Sequence, residues 1–235
     1  MTCKWGENPL ATMLDSSRFT AIVFARAAIA FALLFVVLLT LLHFMEPEFS
    51  PSWRMISEYE LGHYGWIMML AFFAWGTSVL LVTVGAWKAI ATRGGRIGRW
   101  WMLGIGGALF GAGLFRTNAI TDSTPSLSNT LHTLCGLVVI LTFPVAASMV
   151  GHSLQQSARR TTTARWSRWI TPLVWIGLIS FLASVFVSEA INPSARGAGP
   201  RVYAGWPNRF MVLTYVIWLV VVGRRISPGG SKDRS

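Results

Sequence analysis

At 235 residues, with 53% hydrophobic and only 12% charged side chains, the chain has no length left for a soluble domain once its apolar stretches are set aside. The formal net charge of +11 would suit nucleic acid in a soluble protein, but the surplus lies in short connections flanking apolar runs. Membrane lipids are the expected partners there, since each basic residue near an anionic leaflet gains about 1 kcal/mol, and no nucleic acid is expected.

The polar opening leads into an apolar stretch at residues 21–45 with no small-residue cleavage site between them, which reads as an uncleaved signal anchor. Further apolar stretches follow at residues 64–87, 100–115, 131–150, 169–191 and 206–222, each near the roughly 17 to 25 residues that cross a bilayer. The third holds Gly104, Gly106, Gly107, Gly111 and Gly113, and such small residues predict a central packing helix. Ser180, Ser184 and Ser188 form one row on the fifth, either a polar groove or hydroxyls bonded back to their own helix. Pro172 falls near the start of that stretch, where a proline costs least. Trp residues cluster at both ends of the stretches as interfacial belts.

Charge sorts the connections. Lys88, Arg93, Arg96 and Arg99 follow the second stretch, Arg159, Arg160, Arg165 and Arg168 the fourth, and Arg224, Arg225, Lys232 and Arg234 the sixth. Lys4 and Arg18 precede the first. The opposite connections carry Arg54, Arg116, Arg196, Arg201 and Arg209 beside most of the acidic residues. By the positive-inside rule both termini are cytoplasmic, and the expected place is the cytoplasmic (inner) membrane of a bacterium. Arg26 is the one charge inside a predicted span and is expected to snorkel to the headgroups. No carboxylate marks the midplane, which demotes an ion-coupled carrier. Cys3 and Cys135 lie at different depths and cannot pair.

The chemistry-bearing residues gather on the outer side, where loops from one end of a bundle converge into a common pocket. Asp122 and His132 are ten residues apart, with Pro125, Ser126, Ser128 and Asn129 supplying a helix start between them. That spacing places His132 in a first turn, where Asp122 can fold back to accept its ring proton. Such a pair is the orienting half of a general base, with Ser57, near the outer end of the second helix, as nucleophile. The same pair also reads as a structural tie between a loop and a helix. His43 with Glu46, and Glu60 with His63, have metal-like i, i+3 spacing, but no fixed-spacing metal motif is present and no metal or cofactor is expected. Arg209, beside Asn208, is expected to pair with Glu58, Glu60 or Asp122 and so tie three loops together. There is no GxSxG, HExxH, phosphate-cradling or dinucleotide signature.

The segment ISEYELGHYGW, the Asp122 to His132 spacing and the late GWPNRF together resemble a prokaryotic membrane family, domain of unknown function 998. The likeness runs from about Phe44 to Tyr215 and implies a six-helix membrane fold. It points to Ser57, Glu58, Leu61 and Gly62, to Asp122, to His132 and to Arg209, while Tyr59 and Glu60 depart from the family pattern. No reaction is implied by it. The expected fold is therefore an all-α bundle of six transmembrane helices forming one domain. Its outer site, built from Ser57, Glu58, Glu60, Asp122, His132, Asn208 and Arg209, is expected to act on or bind a lipid or amphipathic ligand. The competing expectations are a structural or protein-binding cap and, third, a small-molecule carrier.

Overall fold

The computed structural model describes residues 9–122, 124, 126–157, 163–191 and 203–227, with side chains from Arg18 in the first helix and from Trp169 in the fifth. Pro125, Cys3, Lys4, Arg159, Arg160, Arg196, Arg201, Lys232 and Arg234 lie outside the described residues, as do the side chains of Arg165 and Arg168. Six long helices follow one another: α1 (Pro9–Met45), α2 (Gly65–Gly85), α3 (Arg93–Leu114), α4 (Leu127–Ser157), α5 (Thr163–Ile191) and α6 (Gly205–Ile226). A short 3-10 helix, Ile56–Leu61, sits between α1 and α2.

Most of these helices outrun the apolar stretches that announced them, because hydropathy marks the membrane core whereas a helix continues into the headgroup layer wherever its residues permit. Three local expectations change. Pro172 lies well inside α5, not in its first turn. His132 is in the second turn of α4, since that helix begins at Leu127. Ser57 belongs to the 3-10 helix and not to α2.

By length and composition, α1, α2, α4 and α5 are each able to cross a membrane. The protein is accordingly a polytopic helical membrane protein. Neighbours in sequence are neighbours in space and run antiparallel. Gly85 at the end of α2 meets Ala21 and Ala25 of α1, Gly76 of α2 meets Gly106 and Phe110 of α3, and Gly98 of α3 meets Ala146 and Met149 of α4. Gly223 near the end of α6 rests against Ala25 and Ile29, so the last helix closes on the first. Arg26 does not snorkel alone: its Nε reaches Ser227 at 3.4 Å, tying the same two helices.

The glycines of α3 work as contact points, but α3 is not the centre. Gly104 and Gly107 face open space, whereas α2 has 61% of its span buried. Phe35, Trp75, Phe143, Tyr215 and Trp218 fill the middle, with Phe143 and Tyr215 stacked at 4.4 Å. Pro144 interrupts α4 and leaves the Ile140 carbonyl without its helical donor. The Tyr215 hydroxyl supplies one, at 2.8 Å, which is how a proline is tolerated in this setting. In the serine row of α5, Ser184 bonds back to the Phe181 carbonyl at 2.7 Å.

Candidate functional site

The segment between α1 and α2 folds as a cap over one end of the bundle, and its carboxylates decide how. Glu58 closes the first turn of the 3-10 helix by accepting from the Met55 amide at 3.0 Å. Its other oxygen takes Arg54 at 2.6 Å and the Ile120 amide at 2.9 Å, joining the cap to the loop between α3 and α4. Glu46, 1% exposed, accepts from the Tyr64 amide and so fixes the entry to α2. Burial is the main reason that its carboxyl is held above the usual range. Gly62 packs flat against that carboxylate, leaving no room for a Cβ. The glycine of the LG pair is required by this approach, not by its backbone angles.

Arg209 reaches into the cap from the second turn of α6 and is 8% exposed. Its Nε donates to His43 Nε2 at 2.8 Å, one terminal nitrogen to the carbonyls of Arg54, Gly205 and Pro51 at 2.7, 3.1 and 3.4 Å, and the other to the Tyr59 hydroxyl at 3.3 Å. The expected pairing with Glu58, Glu60 or Asp122 is replaced by this set. Glu58 already has Arg54, and the nearest acceptors around Arg209 are backbone. His43 Nδ1 meanwhile faces the Leu39 carbonyl at 2.7 Å, which leaves Nε2 as the acceptor. The metal-like reading of His43 and Glu46 dissolves in the same way. Among the described residues no group of three His, Cys, Asp or Glu side chains is placed to hold a metal.

Asp122 and His132 do not meet. Asp122 is exposed and its Oδ1 accepts from the amide and hydroxyl of Thr124 at 2.9 and 2.7 Å, a local turn that holds the carboxyl below its usual range. His132, 6% exposed, turns inward from α4, where its Nδ1 lies 2.8 Å from the Phe115 carbonyl and 2.9 Å from that of Ala112. Two carbonyls require Nδ1 to carry the proton, so in the neutral ring Nε2 keeps its lone pair. The carboxylate beside His132 is Glu60, with Oε2 at 3.5 Å from Nδ1. The same oxygen accepts from the Thr117 amide at 3.2 Å. Oε1 of Glu60 is buried and has no partner among the described residues. Burial pushes this carboxyl up to about 8, against the opposing pull of the Thr117 amide and Arg116, so it is largely protonated at neutral pH.

Below the cap lies a cavity of about 220 Å³. Its upper wall carries Ser57, Thr117, His132, Thr133 and Asn208, and its lower wall Phe72, Trp75, Leu109, Ile140, Phe181 and Met211. Three of the residues singled out from the sequence, Ser57, His132 and Asn208, therefore converge, while Asp122 and Arg209 do not join them. Asn208 accepts from the Ile56 amide through Oδ1 at 3.2 Å, so its amide nitrogen is turned the other way. Thr133, Gly136, Leu137 and Ile140 of α4 follow helical spacing along one side, and Thr133 and Leu137 are exposed. That side is the flank nearest α5, where Phe181 completes the wall.

Sequence reasoning did not single out Tyr59 or Thr117. A tyrosine within ISEYEL beside a late arginine was the available signal for the first; the second acts through a backbone amide, which no residue type announces. A family model described as "Protein of unknown function (DUF998)" matches residues 28–225. No curated protein and no solved structure matches the chain.

Proposed function

The chain belongs to the DUF998 family, whose description carries no reaction, and we propose from the geometry that it is a six-span protein of the cytoplasmic membrane whose cavity binds a single-chain amphiphile. The observation that carries this reading is the division of the cavity into a hydrogen-bonding upper wall and an apolar lower one. A ligand with a polar head and an alkyl tail matches both at once. At about 220 Å³ the space exceeds the ~150 Å³ apolar cavity that accepts benzene, so a short length of chain fits. Entry between α4 and α5 keeps the tail in hydrocarbon throughout.

Gly136 supplies the test, because it lines the cavity and a Cβ added there meets no atom within 4 Å. A bromine-labelled fatty acid should quench Trp75, in the cavity wall, saturably in the wild type. Gly136→Leu should fold normally and lose the saturable component. Equal quenching in both proteins would show surface partitioning only and remove the reading.

A second reading rests on Ser57, His132 and Asn208 sharing one wall. His132 Nε2 is free to take a proton from the Ser57 hydroxyl, the Asn208 amide to steady a developing oxyanion, and Glu60, not Asp122, stands behind the imidazole. No hydrogen bond joins Ser57 to His132 in this state, so a ligand must bring them together. Covalent labelling of Ser57 by a lipid-tailed fluorophosphonate, lost in His132→Ala, is the expected result for a hydrolase; a protein inert to the probe is a binder only.

A further inference from the structure

The polar groups on the cavity wall are distinguished by what they leave unused. Elsewhere on α4 the hydroxyls bond back to their own helix, those of Thr130, Thr142 and Ser148 donating to the carbonyls of Ser126, Val138 and Pro144 at 3.0, 2.6 and 2.7 Å. Thr133 lies on the same helix but in the cavity wall, and neither its hydroxyl nor that of Ser57 has a hydrogen-bond partner among the described residues. His132 commits Nδ1 to the carbonyls of Ala112 and Phe115, which leaves Nε2 as an acceptor that no described residue uses and that is not sealed away. Asn208 commits Oδ1 to the Ile56 amide and in the same way keeps its Nδ2 donor. Both residues line the cavity, so one wall holds an unused acceptor together with unused donors. None of the residues lining it is Lys, Arg, Asp or Glu. The nearby cations are engaged or face elsewhere: Arg54 is on Glu58 at 2.6 Å, Arg209 is in its own network, and Arg116 is exposed in a separate depression. An ionised head in the cavity would meet no counter-charge, and an unpaired buried ion is strongly disfavoured.

Given the amphiphile reading above, on which this rests, we propose that the ligand of the cavity carries an uncharged hydroxyl head on an aliphatic chain. Its O–H donates to His132 Nε2, and its oxygen accepts from the hydroxyls of Ser57 and Thr133 or from the Asn208 amide. A hydroxyl is donor and acceptor at once, so a single small head meets both kinds of unused group. A sulfate or phosphate ester offers acceptors only and would set its charge against the Nε2 lone pair; a quaternary ammonium offers neither donor nor acceptor. A fatty acid fits the same wall as its protonated acid, which has the same O–H and lone pairs. His132 is the one titratable side chain among the described residues of the wall, with Glu60 beside its Nδ1 at 3.5 Å.

The experiment compares saturable tryptophan quenching of the full chain, in an uncharged detergent, by bromoundecanol, bromoundecyl sulfate and bromoundecyltrimethylammonium. The three share a tail and a bromine, and each charge is fixed. The alcohol should bind at least about tenfold tighter than either ion, because each ion would bury its charge unpaired. Gly136→Leu should abolish the saturable component for the alcohol. The double variant Ser57→Ala, Thr133→Val breaks no bond among the described residues and should weaken the alcohol about fivefold, the worth of one neutral hydrogen bond. Absence of saturable quenching by all three probes overturns the amphiphile reading and this proposal with it. Binding of either ion as tight as the alcohol, lost in Gly136→Leu, leaves the amphiphile reading standing and overturns the uncharged head. An alcohol affinity unmoved in the double variant overturns it as well.

Discussion

Arg209 and Glu60 are both ionisable side chains less than one-tenth exposed at the same end of the bundle, and they are treated in opposite ways. All three nitrogens of Arg209 are hydrogen-bonded within the protein, to a ring nitrogen, a hydroxyl and carbonyls from two stretches of chain. Glu60 has one oxygen held and one without a donor among the described residues, and lies beside His132, which lines the cavity. Full satisfaction makes a fastener. Partial satisfaction leaves a cost of about 1 to 3 kcal/mol standing in the fold.

The comparison breaks most visibly at Arg209. Arg209→Ala leaves His43, Tyr59 and the Arg54 carbonyl without their shared donor, and a loss of about 3 kcal/mol or more is expected in thermal unfolding in detergent. Arg209→Lys should recover little of it, since an ammonium cannot span that fork. An unchanged unfolding temperature in Arg209→Ala would reduce the network to a coincidence of packing.

A smaller effect, and one with a sign, belongs to Glu60. Its carboxyl titrates near 8 when folded and near 4.5 when unfolded, so between those values the folded state holds a proton that the unfolded state has released. Stability is therefore fully present below about pH 4.5 and falls as pH rises through 8, by on the order of a few kcal/mol. Glu60→Gln should flatten that slope; a wild type whose stability rises over the same window would contradict the assignment. Gly62→Ala, which pushes a methyl into the Glu46 carboxylate, is expected to cost about 1 to 3 kcal/mol as an overpacking change. Asp122→Ala comes last, at no more than about 0.5 kcal/mol, because its bonds stay within its own exposed turn. A large loss there would restore Asp122 to the site.

The helices were legible because hydropathy and loop charge report on the solvent each residue meets. The family model matches residues 28–225, a range that contains the motifs on which the resemblance was drawn. The site was legible only in its residue types. Ser57, His132 and Asn208 do share a wall, but the spacing of Asp122 and His132 carries no information on where either side chain points, and the loop turned one outward while α4 turned the other inward. Arg209 was singled out but expected to pair with carboxylates that the structure does not give it. Its real acceptors are largely carbonyls, which every residue possesses and no pattern flags, and His43, which lies 166 positions away. Glu60 was read as an acidic residue of the cap with metal-like spacing to His63. Both Glu58 and Glu60 are buried, and what separates them is their partners, Arg54 with two amides for the first and a single amide for the second, which no local motif shows.

Asn208 and Arg209 belong to α6, while the turn they hold, Ile56–Leu61, precedes them by some 150 positions. A ribosome delivers the turn long before its clamp. Until the last helix packs in place, Tyr59, His43 and the Arg54 carbonyl lack the donor that Arg209 brings, and that end of a half-made chain stays open. The arrival of α6 is thus the event that seals the molecule, and a product truncated before Gly205 should be recognised and degraded even with five helices in place.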